Sequence, residues 1–187
     1  MTEIKIRSAR KSDSPALGQI LVAANQTAFQ GRVPDRCLNS LAPQESANNW
    51  SKSFVSEDSF DDHDKLFVAE IGTDVVGLAM LSAIPQDGAD KPVLDGYSHE
   101  LNTIQVDPKW QRKGIGRELI ARIALEMWKD KKTHLIVGVL AENPNHEFYR
   151  ILGAVQIGTR AYDWKGYETE EIIYGFARVQ ELLGVKW

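Results

Sequence analysis

Gln111-Arg112-Lys113-Gly114-Ile115-Gly116-Arg117 is the stretch of this chain whose residue types and spacing best fit a ligand. Two glycines separated by one residue let the backbone pass close to a bound group with no side chain between. A helix beginning at Gly114 would leave its first amides unpaired, and its dipole would favour an anion there. Arg112, Lys113 and Arg117 add positive charge at the same point. The pattern predicts a diphosphate site; an ordinary basic loop with a glycine cap is the plainer reading of the turn alone. A P-loop is excluded, because no Gly-x4-Gly-Lys-Ser/Thr run occurs. A dinucleotide fingerprint is disfavoured, since Leu119 stands where its third glycine belongs. Elsewhere, Asp61-Asp62-His63-Asp64 could tempt a metal reading, but consecutive residues rarely converge on one ion. They read as a solvated loop whose charge draws cations. Cys37 has no local His or Asn partner that would make it a nucleophile.

Taken with their neighbours, these residues carry a family resemblance. Ile104-Gln105-Val106-Asp107-Pro108, the Gln-x-x-Gly-x-Gly turn and the helix after it resemble the acyl-CoA-binding core of the GNAT family of N-acetyltransferases. Leu140-Ala141-Glu142-Asn143-Pro144 and Phe148-Tyr149-Arg150-Ile151-Leu152-Gly153 resemble that family's next strand and its tyrosine-bearing helix. The likeness is closest over residues 99–155 and looser over most of the chain. Ala154 departs from it, at a position where many members carry an aromatic.

The resemblance implies one α/β domain over residues 1–187, with a mixed, mostly antiparallel sheet of six or seven strands, helices on both faces and a V-shaped cleft. It implies acetyl transfer from acetyl-CoA as cosubstrate directly to a primary amine, with no acyl-enzyme and no metal. Gln111, Arg112, Lys113, Gly114, Ile115, Gly116 and Arg117 would hold the pyrophosphate. Ile104 and Val106 would pair through their backbones with the pantetheine arm, helped by a β-bulge around Asn102-Thr103. Asn143 would contact the pantetheine or the diphosphate; its plainer reading is a strand-ending Asn-Pro turn. Tyr149 would protonate the departing thiolate, since a phenol with a reference pKa of about 10 keeps its proton at neutral pH. The alternative is that Phe148-Tyr149 packs its helix onto the sheet. Glu100 stands where some members place a base acting directly or through water, with His99 and Asn102 as neighbours that could bind the amine; otherwise it is a surface carboxylate at a strand start. The expected acceptor is a small-molecule amine. A protein or peptide acceptor, and a non-catalytic acyl-CoA-binding module, are the rivals. A homodimer is common in the family.

The elements that must position these residues are legible from periodicity. Residues 3–7 alternate as a half-buried strand. Ser12-Asp13-Ser14-Pro15 supplies caps for a helix running to about Ala28. One or two short helices fall between Gly31 and Asp64, with Trp50 and Phe54 on one face. Lys65–Ile71 and Val75–Leu81 form a hairpin about Gly72-Thr73-Asp74. Residues 85–96 form a loop, and a strand from Glu100 to Val106 stops before Pro108. A helix from Gly114 to about Lys131 carries Gly116, Leu119, Ile120, Ile123, Ala124, Met127 and Trp128 on its apolar face. His134–Leu140 is apolar on both faces, as a strand covered on each side should be. Strands near 154–162 and 170–176 flank a turn from Tyr162 to Tyr167, and Arg178–Trp187 ends the chain as a helix.

Bulk properties exclude several classes. At 187 residues and 43% hydrophobic, the chain can bury a core. A net charge of −4 argues against a nucleic-acid surface and fits a cationic substrate. No run approaches the roughly 18 apolar residues that cross a bilayer, so no membrane partner is expected. One cysteine and no apolar leader fit a reducing, cytoplasmic setting.

Overall fold

A computed structural model describes residues 3–60, 64–84 and 96–183. The elements run β1 (Ile4–Ser8), α1 (Ser14–Phe29), α2 (Asp35–Asn39), α3 (Pro43–Lys52), β2 (Asp64–Ile71) and β3 (Asp74–Ala83). They continue with β4 (His99–Val106), α4 (Ile115–Lys129), β5 (Leu135–Leu140), α5 (His146–Ile151), β6 (Val155–Asp163) and β7 (Glu168–Phe176). The strands make one seven-stranded sheet in the order β1-β2-β3-β4-β5-β7-β6. Every neighbouring pair is antiparallel except β4 and β5, which run parallel across the α4 crossover. This is the mixed, mostly antiparallel α/β sheet that the sequence led us to expect. The loop anticipated over 85–96 and the Asp61–His63 stretch fall almost wholly outside the described residues.

One face of the sheet is covered by α4 and α5. There Ile115, Leu119, Ile120, Ile123, Ala124 and Met127 of α4 pack with Leu101, Leu135, Val137, Val139, Tyr149 and Tyr174. Each fully buried leucine or isoleucine of that stripe contributes about 2 kcal/mol by leaving water. Trp128 does not join it and stays 49% exposed. At 3.6 residues per turn it lies about 120° from the centre of the buried stripe, outside the arc that the sheet covers.

The other face is covered by α1 and α3; Leu17 and Ile20 of α1 pack with Phe54 against Leu66, Val68 and Leu78, with Trp50 beside them. Phe54 lies beyond the end of α3, bridged to Phe60, rather than on one helix face with Trp50. Of the one or two short helices expected between Gly31 and Asp64, two form, as α2 and α3. Asp13 precedes α1 but makes no side-chain cap. Its carboxylate instead accepts from Arg7 at 2.7 and 2.9 Å and from the Arg10 amide at 2.8 Å. Burial works against the ionised form, yet these bonds outweigh it and hold Asp13 below its usual range. The expected terminal helix is a short 3-10 segment over Val179–Leu183, and residues 184–187 lie outside the described residues.

Candidate functional site

The sheet comes apart between β4 and β5. The two strands pair at His99↔Leu135 and Glu100↔Ile136 only. Beyond Glu100, β4 keeps β3 on one side and, among the described residues, has no strand on the other. A bulge accompanies the divergence: Met80 pairs with Thr103 and Leu81 with Leu101, so Asn102 is the extra residue. A bulge sharpens local twist and bends its strand, which turns β4 away from β5. Ile104 and Val106, paired to Ala79 and Gly77 on the β3 side, therefore line a cleft with unpaired strand edge facing it. The Val106 carbonyl is partly occupied, since Gln111 Nε2 donates to it at 3.1 Å.

The glycine turn stands at the open end of this cleft. Gly114 begins α4 with φ 85°, a left-handed conformation that suits glycine, and it offers no capping side chain. Among the described residues no acceptor takes the amides of Arg112 through Gly116, whereas those of Arg117 and Glu118 bond back to the Gly114 carbonyl. Arg112 is left-handed as well, with φ 62°. Lys113 Nζ sits 4.3 Å over the Trp110 ring, held by cation–π attraction at the same loop. Gly116 plays a second part that the sequence did not announce: a Cβ there would come within 3.2 Å of Phe148. The turn and the aromatic pair of α5 are thus in contact.

Tyr149 is 7% exposed and lies in the same core cluster as α4, with Phe148, Ile104 and Val106 packed against it. Phe148 meets its ring edge-on at 5.2 Å, and Tyr174 stacks on it at 6.0 Å with 15° between planes. Among the described residues none hydrogen-bonds the Tyr149 hydroxyl. Burial raises its pKa well above the ordinary phenol value, so the group stays protonated at any physiological pH. Tyr174 was not anticipated as a site residue. It is held in turn by Arg150 Nη2, which donates to its hydroxyl at 3.0 Å, and by His146 Nδ1 at 3.1 Å. The alternation Ile172, Tyr174, Phe176 was its only sequence signal.

Asn143 follows β5 in a tight turn. Its Oδ1 accepts from the Asn145 amide at 2.9 Å and its own amide bonds Leu140, so the turn role is real and only Nδ2 is left for a ligand. Glu100 lies across the sheet from Tyr149, because its neighbour Leu101 faces the α4 core. Its carboxylate is gripped by Arg160, with Nη2 donating at 2.8 Å and Nη1 at 3.4 Å. His99 is set apart from it: burial, with Lys132 and Lys65 nearby, keeps that imidazole below its usual range, and Ser98 Oγ sits 2.8 Å from its Nδ1.

The β5 end of the Glu100 face is roofed by α2. Phe29, Val33, Cys37 and Leu38 pack there against Leu140, Trp164 and Tyr167. Cys37 Sγ donates to the Trp164 carbonyl at 3.3 Å, and Arg36 Nη2 to Gly166 at 3.1 Å. Beside this roof, Glu142 accepts from Tyr167 at 2.7 Å and Thr169 at 2.8 Å. Burial opposes its charge, but these bonds prevail and hold it below its usual range. A groove of about 810 Å³ runs along the β6–β7 hairpin here, lined by Glu142, Tyr162, Asp163, Glu168 and Glu170 among others. Among the described residues no three His, Cys, Asp or Glu gather as a metal site.

Comparison with known proteins gives a consistent picture. The sequence model of the acetyltransferase (GNAT) family matches residues 35–154. An uncharacterized N-acetyltransferase of Bacillus subtilis (strain 168), YuaI, is 25% identical over 184 residues, covering 96% of each chain. Among solved structures, a ribosomal-protein-alanine N-acetyltransferase from Brucella melitensis superposes with a TM-score of 0.67 at 24% identity, over 92% of this chain and 99% of that one. The PaiA N-acetyltransferase of Thermoplasma acidophilum, solved with coenzyme A, gives 0.65 at 17% identity, over 94% and 99%. YncA of Salmonella typhimurium, solved with acetyl-CoA, gives 0.65 at 18%, over 100% and 97%. At these identities the structural likenesses establish a shared fold.

Proposed function

The chain belongs to the acetyltransferase (GNAT) family, and from that premise we propose that it moves the acetyl group of acetyl-CoA directly to the primary amine of a small-molecule acceptor. One observation carries the reading. The β4–β5 pairing ends at Glu100↔Ile136, which among the described residues leaves strand edge free beside a helix start whose amides from Arg112 to Gly116 are unclaimed. Free strand edge suits the amide-bearing pantetheine arm, and uncapped helix amides suit its diphosphate.

In this reading Gln111 to Arg117 bind the diphosphate, and the backbone of Ile104 and Val106 aligns the arm. Gln111 must release Val106 where the arm needs that carbonyl. Asn143 adds a contact through Nδ2. A β4 amide at the cleft polarises the thioester carbonyl as an oxyanion donor does. The amine nitrogen attacks that carbonyl carbon, the carbon–sulfur bond breaks, and the Tyr149 hydroxyl gives its proton to the thiolate. Glu100, on the opposite face, takes the amine's proton directly or through water. Most of the rate comes from holding two reactants in line.

The α2 roof favours a small acceptor over a peptide. It is tied to the β6–β7 turn by Cys37 and Arg36, which closes one end of the groove an extended chain would need. The carboxylates of the hairpin groove would draw an amine in its cationic form.

The test is a calorimetric titration with acetyl-CoA beside a thiol-release screen of an alkyl diamine, an aminosugar, an amino-acid amide and an alanine-initiated peptide. Binding with turnover of a small amine is expected. Turnover of the peptide alone would replace the acceptor class, and absence of acetyl-CoA binding would end the diphosphate assignment.

A further inference from the structure

Arg160 makes an ion pair with a strand three places away in the sheet. It lies on β6, Glu100 lies on β4, and β7 and β5 stand between them. At the usual strand spacing that is about 14 Å of sheet. The span closes because Gly138 of β5 has no side chain: a Cβ there would sit 2.8 Å from Arg160 Nη2 and 2.9 Å from Glu171 Oε2. Glu171, the cross-strand partner of Arg160, accepts from its Nε at 2.8 Å. One guanidinium thus serves two carboxylates, and the side chains are only 28%, 16% and 14% exposed for Arg160, Glu100 and Glu171.

A strap whose sole task was to staple strands would need one carboxylate; the second adds repulsion and a desolvation cost. The place of this cluster supplies another task. Glu100 forms the last β4–β5 rung, so the cluster stands at the root of the cleft, on the face that α2 roofs.

We propose that Arg160 is a positioning residue for the acceptor half of the reaction: with Glu171 and the space left by Gly138, it fixes the Glu100 carboxylate at the root of the β4–β5 cleft. This rests on the reading above, in which Glu100 serves the amine. Arg160 touches neither reactant; it acts through Glu100.

The experiment is steady-state acetylation of the panel amine with the highest turnover, at saturating acetyl-CoA, with acetyl-CoA affinity measured separately by calorimetry. Arg160→Gln should lower kcat/KM for the amine about tenfold or more, with acetyl-CoA affinity held within about twofold, and Arg160→Lys should recover part of the loss. In a Glu100→Gln background, Arg160→Gln should cost less than about twofold more, because the positioned group is already gone. Gly138→Ala keeps every charge and meets only the flexible ends of Arg160 and Glu171, so it serves if Arg160→Gln does not fold. It should also depress amine kcat/KM. Unchanged amine kinetics in the folded variants, or full additivity with Glu100→Gln, would overturn the proposal while wild-type turnover leaves the acetyltransfer reading standing. A wild-type protein that acetylates no panel amine would overturn both.

Discussion

Tyr149 illustrates how burial prepares a residue for one role. Its ring is clamped between Phe148 and Tyr174, and desolvation pushes its pKa up, so it keeps its proton at neutral pH and ionises reluctantly. Tyr149→Phe should lower kcat by about tenfold to a hundredfold while the acetyl-CoA Kd stays nearly constant, as thiol-release kinetics and calorimetry would read. Full activity of the variant would reduce Tyr149 to packing. The same shift has a stability consequence. Above the ordinary tyrosine pKa of about 10 the unfolded chain loses this proton and the folded chain keeps it, so stability falls as pH rises through that value. Phenylalanine at 149 has no proton to lose, and alkaline denaturation curves should show that variant losing less stability above that pH than the wild type does.

At the scale of elements, the two glycines of the turn do different work. Gly114 is required by its φ of 85°, with open space where a Cβ would go, while Gly116 is required by Phe148. Gly114→Asp should abolish acetyl-CoA binding through charge at the diphosphate position, with a stability loss of about 1–2 kcal/mol from the left-handed backbone. Gly116→Asp should lose binding too, and should also cost thermal stability by displacing Phe148 from α4. Calorimetry paired with thermal melts separates the two. A melt of Gly116→Asp equal to that of the wild type would remove the packing role assigned to Gly116. The turn stood out in the sequence because glycine spacing and charge are local signals. Its contact with Phe148 was not, since it joins residues from two helices separated by a strand.

For the molecule as a whole, the weak point is the β4–β5 seam, where two half-sheets share two rungs and an Arg160 strap. A ligand lying in that seam would bind the folded state alone. Acetyl-CoA at about a hundredfold over its Kd should then stabilise the protein by about 2.7 kcal/mol. For a chain of this size that raises Tm by about 5–10 °C. A melt unmoved at that concentration would show that the seam does not hold the cosubstrate.

The sequence by itself determined the elements and the family. Alternation in β1 and β4, the apolar runs of β2 and β3, the helical stripe of α4 and the glycine turn are patterns within a few residues of one another, and backbone geometry converts them directly into structure. The mixed α/β sheet was what the family resemblance implied. Only the tertiary structure decided which residues meet across that sheet. It moved Trp128 to the surface, turned Asp13 from a helix cap into the partner of Arg7, bound Glu100 to Arg160, and stacked Tyr174 on Tyr149. Each of these depends on distances between residues far apart in the chain, where a charge or a ring chooses among partners that local periodicity cannot rank.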